Sequence, residues 1–575
     1  MLNSTAPRKG RFPFRKPIYA MGAILFLTAW LIPNHYPPWV GFHNEAAMFA
    51  ALMLFCGVAV FGSIAVKLPR ATVAIFSMLI ALIWLQWASG LIFFSGDALV
   101  SSIYLLAICW AWWLGARTAL VSGEFERVLN FAAALMVIAA CTSSFMAILQ
   151  WLNLEQDIAL FVAEHGTNRP YANLAQPNLL ATLLVMAQVF AYILYVHRRL
   201  KTWHLFSISC LLSVGVIATE SRAGLLSAFF VGGFLILGTR PAWRIGGFRV
   251  VAIWWAMLAV LWSIWRTLTE FLALQPPREG ALSLDHARIT IWKQVVAGLC
   301  QAPWFGYGWR QTGVAQTIGA EFVPGDIPTD YAHNAALDVL AWLGLPLGIL
   351  LLTLGAWWLL RTVRDLKDAT ECLLFSATIP FLVHSMVEFP FAYAYFLIPI
   401  AWIYGILNAR QMPQRFRVFQ GVPWPERLPM IAGIFGFGVL CGSATLEYLD
   451  AEEDFRVMRF EMRNVGSRAV DYHAPSLFLL TQLDDLLKMG RLSPARNMSK
   501  TEIERLRKAN LSRHWGALNM KYIVALGING QPAEASKQLR NIKALYGDKL
   551  YRSAVDEFRA IRDEKYPELV LVKID

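Results

Sequence analysis

Residues 169–196 read RPYANLAQPNLLATLLVMAQVFAYILYV. The stretch opens as a polar loop and turns at Pro177 into about twenty residues without a charge, long enough to cross a hydrocarbon core of roughly 30 Å as a helix. Proline suits the first position of such a helix, because its missing N–H would be unbonded there anyway. Asn173, Gln176 and Asn178 crowd the mouth of the helix, with Arg169 just ahead of them. Such groups are costly beside lipid. Their placement is expected where a membrane-embedded cavity opens outward, with the rest of the helix meeting lipid.

Working outward, similar apolar runs recur at 17–33, 45–66, 71–94, 98–120, 128–150, 203–219, 223–239, 249–266, 335–360, 370–388, 391–408 and 428–447. With 177–196 they make about thirteen spans by the length rule. The chain of 575 residues is 57% hydrophobic and only 16% charged, with a mean hydropathy of +0.47. This composition excludes a soluble globule. A transmembrane barrel would show strands of about ten residues alternating apolar and polar, a pattern absent here. The fold class is therefore an all-α polytopic membrane protein.

Lys and Arg set the orientation. With the N-terminus (Arg8, Lys9, Arg11, Arg15, Lys16) in the cytoplasm, alternate links fall on the same side. They carry Lys67 and Arg70; Arg198, Arg199 and Lys201; Arg240, Arg244 and Arg249; Arg361, Arg364 and Lys367; and Arg410, Arg415, Arg417 and Arg427. The opposite links are nearly bare, so the net charge of +12 reads mainly as a topogenic signal. Cations in short links, rather than on one folded face, argue against a nucleic-acid surface. The first run has no convincing cleavage site and fits a retained anchor. The seven cysteines form no C-x-x-C pair, which argues against metal or disulfide chemistry.

Four segments organise the chain: 1–266, an N-terminal bundle carrying the 169–184 signature; 267–334, a large outer loop; 335–447, the remaining spans; and 448–575, a charged helical tail. A loop as long as 267–334 is expected to fold over the membrane face. In it, Ser283 or Asp285 can cap an interfacial amphipathic helix with Ile289, Trp292, Val296 and Leu299 on its apolar side. Pro303 to Trp309 reads as a Gly-rich turn with aromatics suited to the headgroup level. In the tail, Gly527 to Ala535 links two amphipathic helices in the manner of a tetratricopeptide hairpin, although a generic helical domain fits the pattern equally.

On the outer face stand Arg169, Arg222 within Glu220-Ser-Arg-Ala-Gly224, Arg288 and His333. Arginine matches phosphate through bidentate, charge-assisted hydrogen bonds, and histidine carries protons near neutral pH. Singly, each has a plainer reading. Arg222 can snorkel to the interface, Arg169 can brace its loop, Arg288 can be a solvated charge, and His333 can cap the next helix. Gln176 and Asn178 can cap the helix at Pro177. His384 and Glu388, at i, i+4, read best as a buried pair holding a corner. No G-x-x-x-x-G-K-[ST], H-E-x-x-H, G-x-S-x-G or D-x-D motif occurs. An enzyme with this inventory needs a donor that is already activated and already in the membrane.

These residues resemble a family. RPYANLAQPNLLATLL (169–184) looks like the signature of the bacterial protein O-oligosaccharyltransferases, the PglL-type pilin glycosylation ligases. TESRAGLL (219–226), DHARITIW (285–292), PWFGYG (303–308), DYAHNAALDVLAWLGLPLG (330–348) and HSMVEFPF (384–391) look like the ligase core shared with O-antigen ligases and Wzy polymerases. The resemblance covers most of the chain. It implies a GT-C-like ligase fold in a bacterial inner membrane, with the loop, the active site and the tail in the periplasm. It implies an oligosaccharide donor on undecaprenyl diphosphate and a Ser or Thr hydroxyl acceptor on an exported protein such as pilin, with no cofactor and no metal. His333 would be the general base, with Arg288 and Arg222 clamping the diphosphate. Arg169, Gln176 and Asn178, and more weakly Tyr393 and Tyr395, would bind substrate. The rivals are an O-antigen ligase acting on lipid A-core, a Wzy polymerase and, from another class, a flippase or transporter. Transporters generally place polar groups near the midplane rather than at one face.

Overall fold

The computed structural model describes residues 15–62, 64–121, 123–164, 169–237, 247–274, 286–420, 424–463, 465 and 472–574. Nineteen α-helices and one two-stranded antiparallel sheet account for most of these residues. Each expected span falls on a helix. Eight helices are long and apolar enough to cross a bilayer: Phe42–Val60, Arg70–Ala88, Ser95–Leu120, Phe125–Trp151, Pro177–Val196, Phe248–Phe271, Ala335–Arg364 and Arg427–Met462. The chain is an integral membrane protein. The other five expected spans fall on shorter helices, Arg15–Leu31, Thr202–Ala218, Arg222–Leu237, Ala369–Ser385 and Ala394–Gln411. Length alone therefore does not carry the count of thirteen crossings.

The helix that opened the reading is the most enclosed. Every residue from Asn178 to Leu194 is buried. Phe125–Trp151, Thr202–Ala218, Arg222–Leu237 and Ala369–Ser385 surround it. The expectation that its length meets lipid is corrected: apolar composition suits a bundle core as well as a bilayer. Residues 64–67, assigned above mostly to a span, instead form a strand paired with Arg417–Gln420 in the register Ile64↔Gln420 to Lys67↔Arg417. The helix before them stops at Val60, and Val66 is buried against Ala116, Ala409 and Phe416.

The helix Ala335–Arg364 is broken at Gly344, whose φ of 74° is left-handed. A side chain there would run into the backbone of Trp304 and Phe305. The break frees two carbonyls and an N–H that the 303–308 turn satisfies. Tyr307 N–H donates to the Ala341 carbonyl at 2.8 Å, Gly308 N–H to that of Trp342 at 3.2 Å, and Leu345 N–H to that of Pro303 at 2.7 Å. Buried backbone groups rarely go unpaired, so the glycine turn and the helix break form one device. It leaves the 335–343 segment packed with the outer loop, where Ala341, Trp342 and Leu343 join Ile291, Val295 and Ala315 in one cluster.

In the loop, His286–Gln301 packs against Thr312–Ala320, with Gly298 and Gly319 at the points of closest approach. This contact turns the helix. Ile291, Gln294, Val295, Gly298 and Leu299 are buried, whereas Val296 is exposed, so the expected stripe through Val296 is corrected. Ser283 and Asp285 lie outside the described residues.

The last span runs unbroken from Trp424 to Met462, so the boundary at 447/448 falls inside one continuous helix. Four more helices, Thr481–Arg491, Lys500–Ser512, Gly516–Ile528 and Pro532–Glu564, complete the tail. The last two pack as the expected hairpin, and a left-handed Gly547 breaks the longer one.

Candidate active site

Of the residues singled out at the outer face, Gln176, Asn178, Arg288 and His333 meet at one carboxylate. Helix Ala369–Ser385 ends three residues before Glu388, and that acid turns inward, 3% exposed. Arg288, in the first turn of its helix, forms an ion pair with Glu388 Oε1. Asn178 Nδ2 donates to the same oxygen at 3.2 Å. His333 Nδ1 lies 2.6 Å from Oε2, and Gln176 Nε2 lies 3.5 Å from it.

Asn178 is a junction. Its side-chain carbonyl accepts from Arg169 Nη2 at 3.2 Å and from Ser221 Oγ at 2.8 Å. Arg169 Nε also donates to the Thr219 carbonyl at 2.8 Å. Gln176 and Asn178 therefore reach toward Glu388 and make no side-chain cap for their own helix, which overturns the capping reading. Asn173 does something else: it donates to the carbonyls of Leu31 and Phe161, each at 2.7 Å, and closes its own loop.

Arg169, Arg222, Arg288, Gln176, Asn178, Glu220 and Glu388 line one cavity of about 250 Å³. Three guanidiniums thus face two carboxylates, an arrangement suited to an anion with two or more phosphate charges. His333 is not in that lining. It stands at the other oxygen of Glu388, with its ring edge-to-face on Phe389 at 4.9 Å and its backbone left-handed at φ 53°. Its Nε2 lies 3.3 Å from Thr329 Oγ1. Asn334, not His333, caps the following helix by accepting from the Ala336 and Leu337 amides. Tyr393 and Tyr395 do not line the cavity. Tyr395 is buried against Trp30 at 5.2 Å, and Tyr393 stacks between Phe389 and Tyr395.

His384 and Glu388 are both buried at the corner, and the Glu388 N–H donates to the His384 carbonyl at 2.8 Å, but their side chains take different hydrogen-bond partners. His384 Nδ1 lies 2.8 Å from Thr182 Oγ1, and that hydroxyl donates to the Asn178 carbonyl. Glu388 is the residue the sequence reading undervalued. The available signal was an acid beside a Phe-Pro corner between two apolar helices, where an ionised group persists only with partners.

Burial raises the Glu388 pKa, but the His333 hydrogen bond and the charges of His333, Arg288 and His384 outweigh it and bring it from 4.5 down to about 2. Its carboxylate is therefore ionised throughout the neutral range. A depressed folded-state value contributes stability that is complete above 4.5 and is lost as pH falls from there toward about 2, on the order of 3 kcal/mol. The expected result is a melting temperature that drops across this window in the wild type, with a shallower drop in E388Q. Equal slopes would contradict the assignment.

Chemically, a His333 that donates Nδ1–H to Glu388 keeps its Nε2 lone pair available as a base, the same logic by which a carboxylate orients a catalytic imidazole elsewhere. The neighbouring cations can hold charge developing on a phosphate leaving group. No group of three metal-ligating side chains occurs among the described residues.

Comparison with known proteins defines the class. Residues 207–352 match the O-antigen ligase family, and residues 372–560 match the virulence factor membrane-bound polymerase C-terminal family. These segments carry Arg222, Arg288 and His333 in the first and Glu388 in the second. A general O-oligosaccharyltransferase of Acinetobacter baylyi is 28% identical over 543 residues, 91% of each chain. A ComP-specific O-oligosaccharyltransferase of the same organism is 26% identical over 405 residues, 69% of this chain and 72% of that one. The chain is thus similar over most of its length to O-oligosaccharyltransferases and, over 207–352, to the O-antigen ligases, which supports a glycosyltransferase-type membrane enzyme.

Proposed function

We propose that the chain transfers an oligosaccharide en bloc from undecaprenyl diphosphate to a Ser or Thr hydroxyl of exported proteins such as pilin, at the periplasmic face of the inner membrane. The observation that carries this reading is the convergence of Arg169, Arg222 and Arg288 on one cavity whose Glu388 also holds His333. In the proposed step His333 Nε2 takes the proton of the acceptor hydroxyl as its oxygen bonds the anomeric carbon. The bond from that carbon to the diphosphate oxygen breaks, and the departing diphosphate keeps the electron pair. Arg288 and Arg222 hold the charge that develops there, with Arg169 as a third cation, while Gln176 and Asn178 orient the donor at the mouth. The phosphate is a good leaving group once its charge is held, and this chemistry runs on oriented cations and one base.

Similarity over nearly the whole length to oligosaccharyltransferases favours protein over lipid A-core as the acceptor. The test is intact-mass analysis of pilin and other exported proteins from cells with and without the gene, with lipopolysaccharide run alongside. A hexose-containing mass increment that disappears from protein while lipopolysaccharide is unchanged is the expected result. Loss of long-chain lipopolysaccharide with unmodified protein in both strains would transfer the assignment to an O-antigen ligase or polymerase.

A further inference from the structure

His333 is held by little of its own making. Its left-handed backbone is a conformation that surroundings must impose on a non-glycine residue, and the segment leading into it, 323–332, has no regular structure. Gln316, Trp292 and Asp338 hold part of this segment from the loop and the following helix, and the tail holds it from the other side. At the corner between Lys500–Ser512 and Gly516–Ile528, His514 projects into the outer loop, its side chain only 10% exposed. Its Nδ1 lies 3.5 Å from Asp330 Oδ1, and its Nε2 lies 3.3 Å from Thr317 Oγ1. The ring also fills the space beside Gly313, where an added Cβ would meet it at 2.6 Å and the Thr329 carbonyl at 3.2 Å.

Two further ties lie along the same seam. Gly325 N–H donates to the Ala544 carbonyl at 2.7 Å, and Lys537 pairs with Glu321 at 3.0 Å. The corner is in turn anchored to the long helix through Trp515 against Phe455 at 6.3 Å. From Asp330 the chain reaches the imidazole within three residues, and Thr329 Oγ1 touches His333 Nε2 directly.

We propose that His514 of the tail is a positioning residue for transfer: through Asp330 and Thr317 it fixes the 325–332 segment and thereby the orientation of His333. The proposal rests on the reading of His333 as the base and assigns the tail a part in the reaction. A misplacement of about 1 Å in a catalytic group costs up to about a hundredfold in rate, so loss of this clamp is expected to act on turnover rather than on donor binding.

The test uses the full-length protein in vesicles, with a lipid-linked oligosaccharide donor and an acceptor protein, at a temperature well below every variant's melting point. H514A and D330N are expected to lower kcat about tenfold or more, with KM for the donor little changed and faster amide exchange confined to 312–333. H514Q, which retains an amide donor toward Asp330 and Thr317, restores most of the rate. R496A, which breaks a tail ion pair with Glu568 on the exposed side, turns over at the wild-type rate. On an H333A background, H514A adds nothing further, because both changes remove the same contribution.

Wild-type kcat in H514A and D330N beside an inactive H333A overturns the proposal alone, as does an H514A loss that persists in full on the H333A background. A fully active H333A overturns the assignment of the base, and the proposal with it.

Discussion

Substituting His333 by alanine lowers the rate of glycan transfer by at least about a hundredfold, the scale on which a positioned general base contributes. The loss is expected in kcat, since the imidazole stands outside the arginine-lined cavity proposed to hold the donor. Stability should fall as well, because the ring is one of the partners that hold the buried Glu388 carboxylate, so transfer is compared at a temperature where the variant stays folded. Purified variant and wild type, compared for transfer and for melting temperature, decide the matter. Undiminished transfer by folded H333A would leave the site without a base.

Removing Arg288 has the second large effect, for two separable reasons. The variant loses a cation where leaving-group charge develops, which costs about 10² to 10³ in rate. It also leaves Glu388 buried with one partner fewer, and breaking a buried pair from one side is strongly destabilising. R288A is therefore expected to be both slow and less stable. Adding E388Q to R288A removes the stranded charge and should recover stability without recovering rate. Recovery of both would mean that Arg288 serves only to neutralise Glu388. R288K, which keeps the charge but not the planar fork, should fall between wild type and alanine.

What the sequence made legible follows from what side-chain chemistry and spacing can encode. Guanidiniums on the sparsely charged face of a membrane protein are conspicuous, so Arg169, Arg222 and Arg288 could be picked out one by one. Their convergence on one cavity could not, nor could the role of Glu388, whose partners His333, Arg288 and Asn178 lie 55, 100 and 210 residues away in the chain. The i, i+4 spacing pointed instead to His384, since the end of the helix at Ser385 leaves no strong mark in the sequence. Burial of 178–194 was hidden for a different reason: leucine and valine look the same facing a neighbouring helix as facing an acyl chain. The pairing of 64–67 with 417–420 joins two four-residue strands more than three hundred positions apart, and strands that short carry almost no periodic signal. Tyr393 and Tyr395, weakly expected to bind substrate, are turned into the bundle by packing against Phe389 and Trp30.

The uninterrupted helix from Trp424 to Met462 spans 39 residues, about 58 Å at 1.5 Å per residue. A bilayer core occupies roughly 30 Å of that, so the remainder extends beyond the lipid. That end is clothed rather than bare: Tyr448 stacks on Phe42 at 3.7 Å, Glu447 accepts from the Leu479 and Leu480 amides, and Asp454 takes Arg491 at 2.7 Å. One rod therefore couples bundle and terminal domain, so a change in its tilt within the bilayer carries that domain, and the seam it makes with the outer loop, along with it.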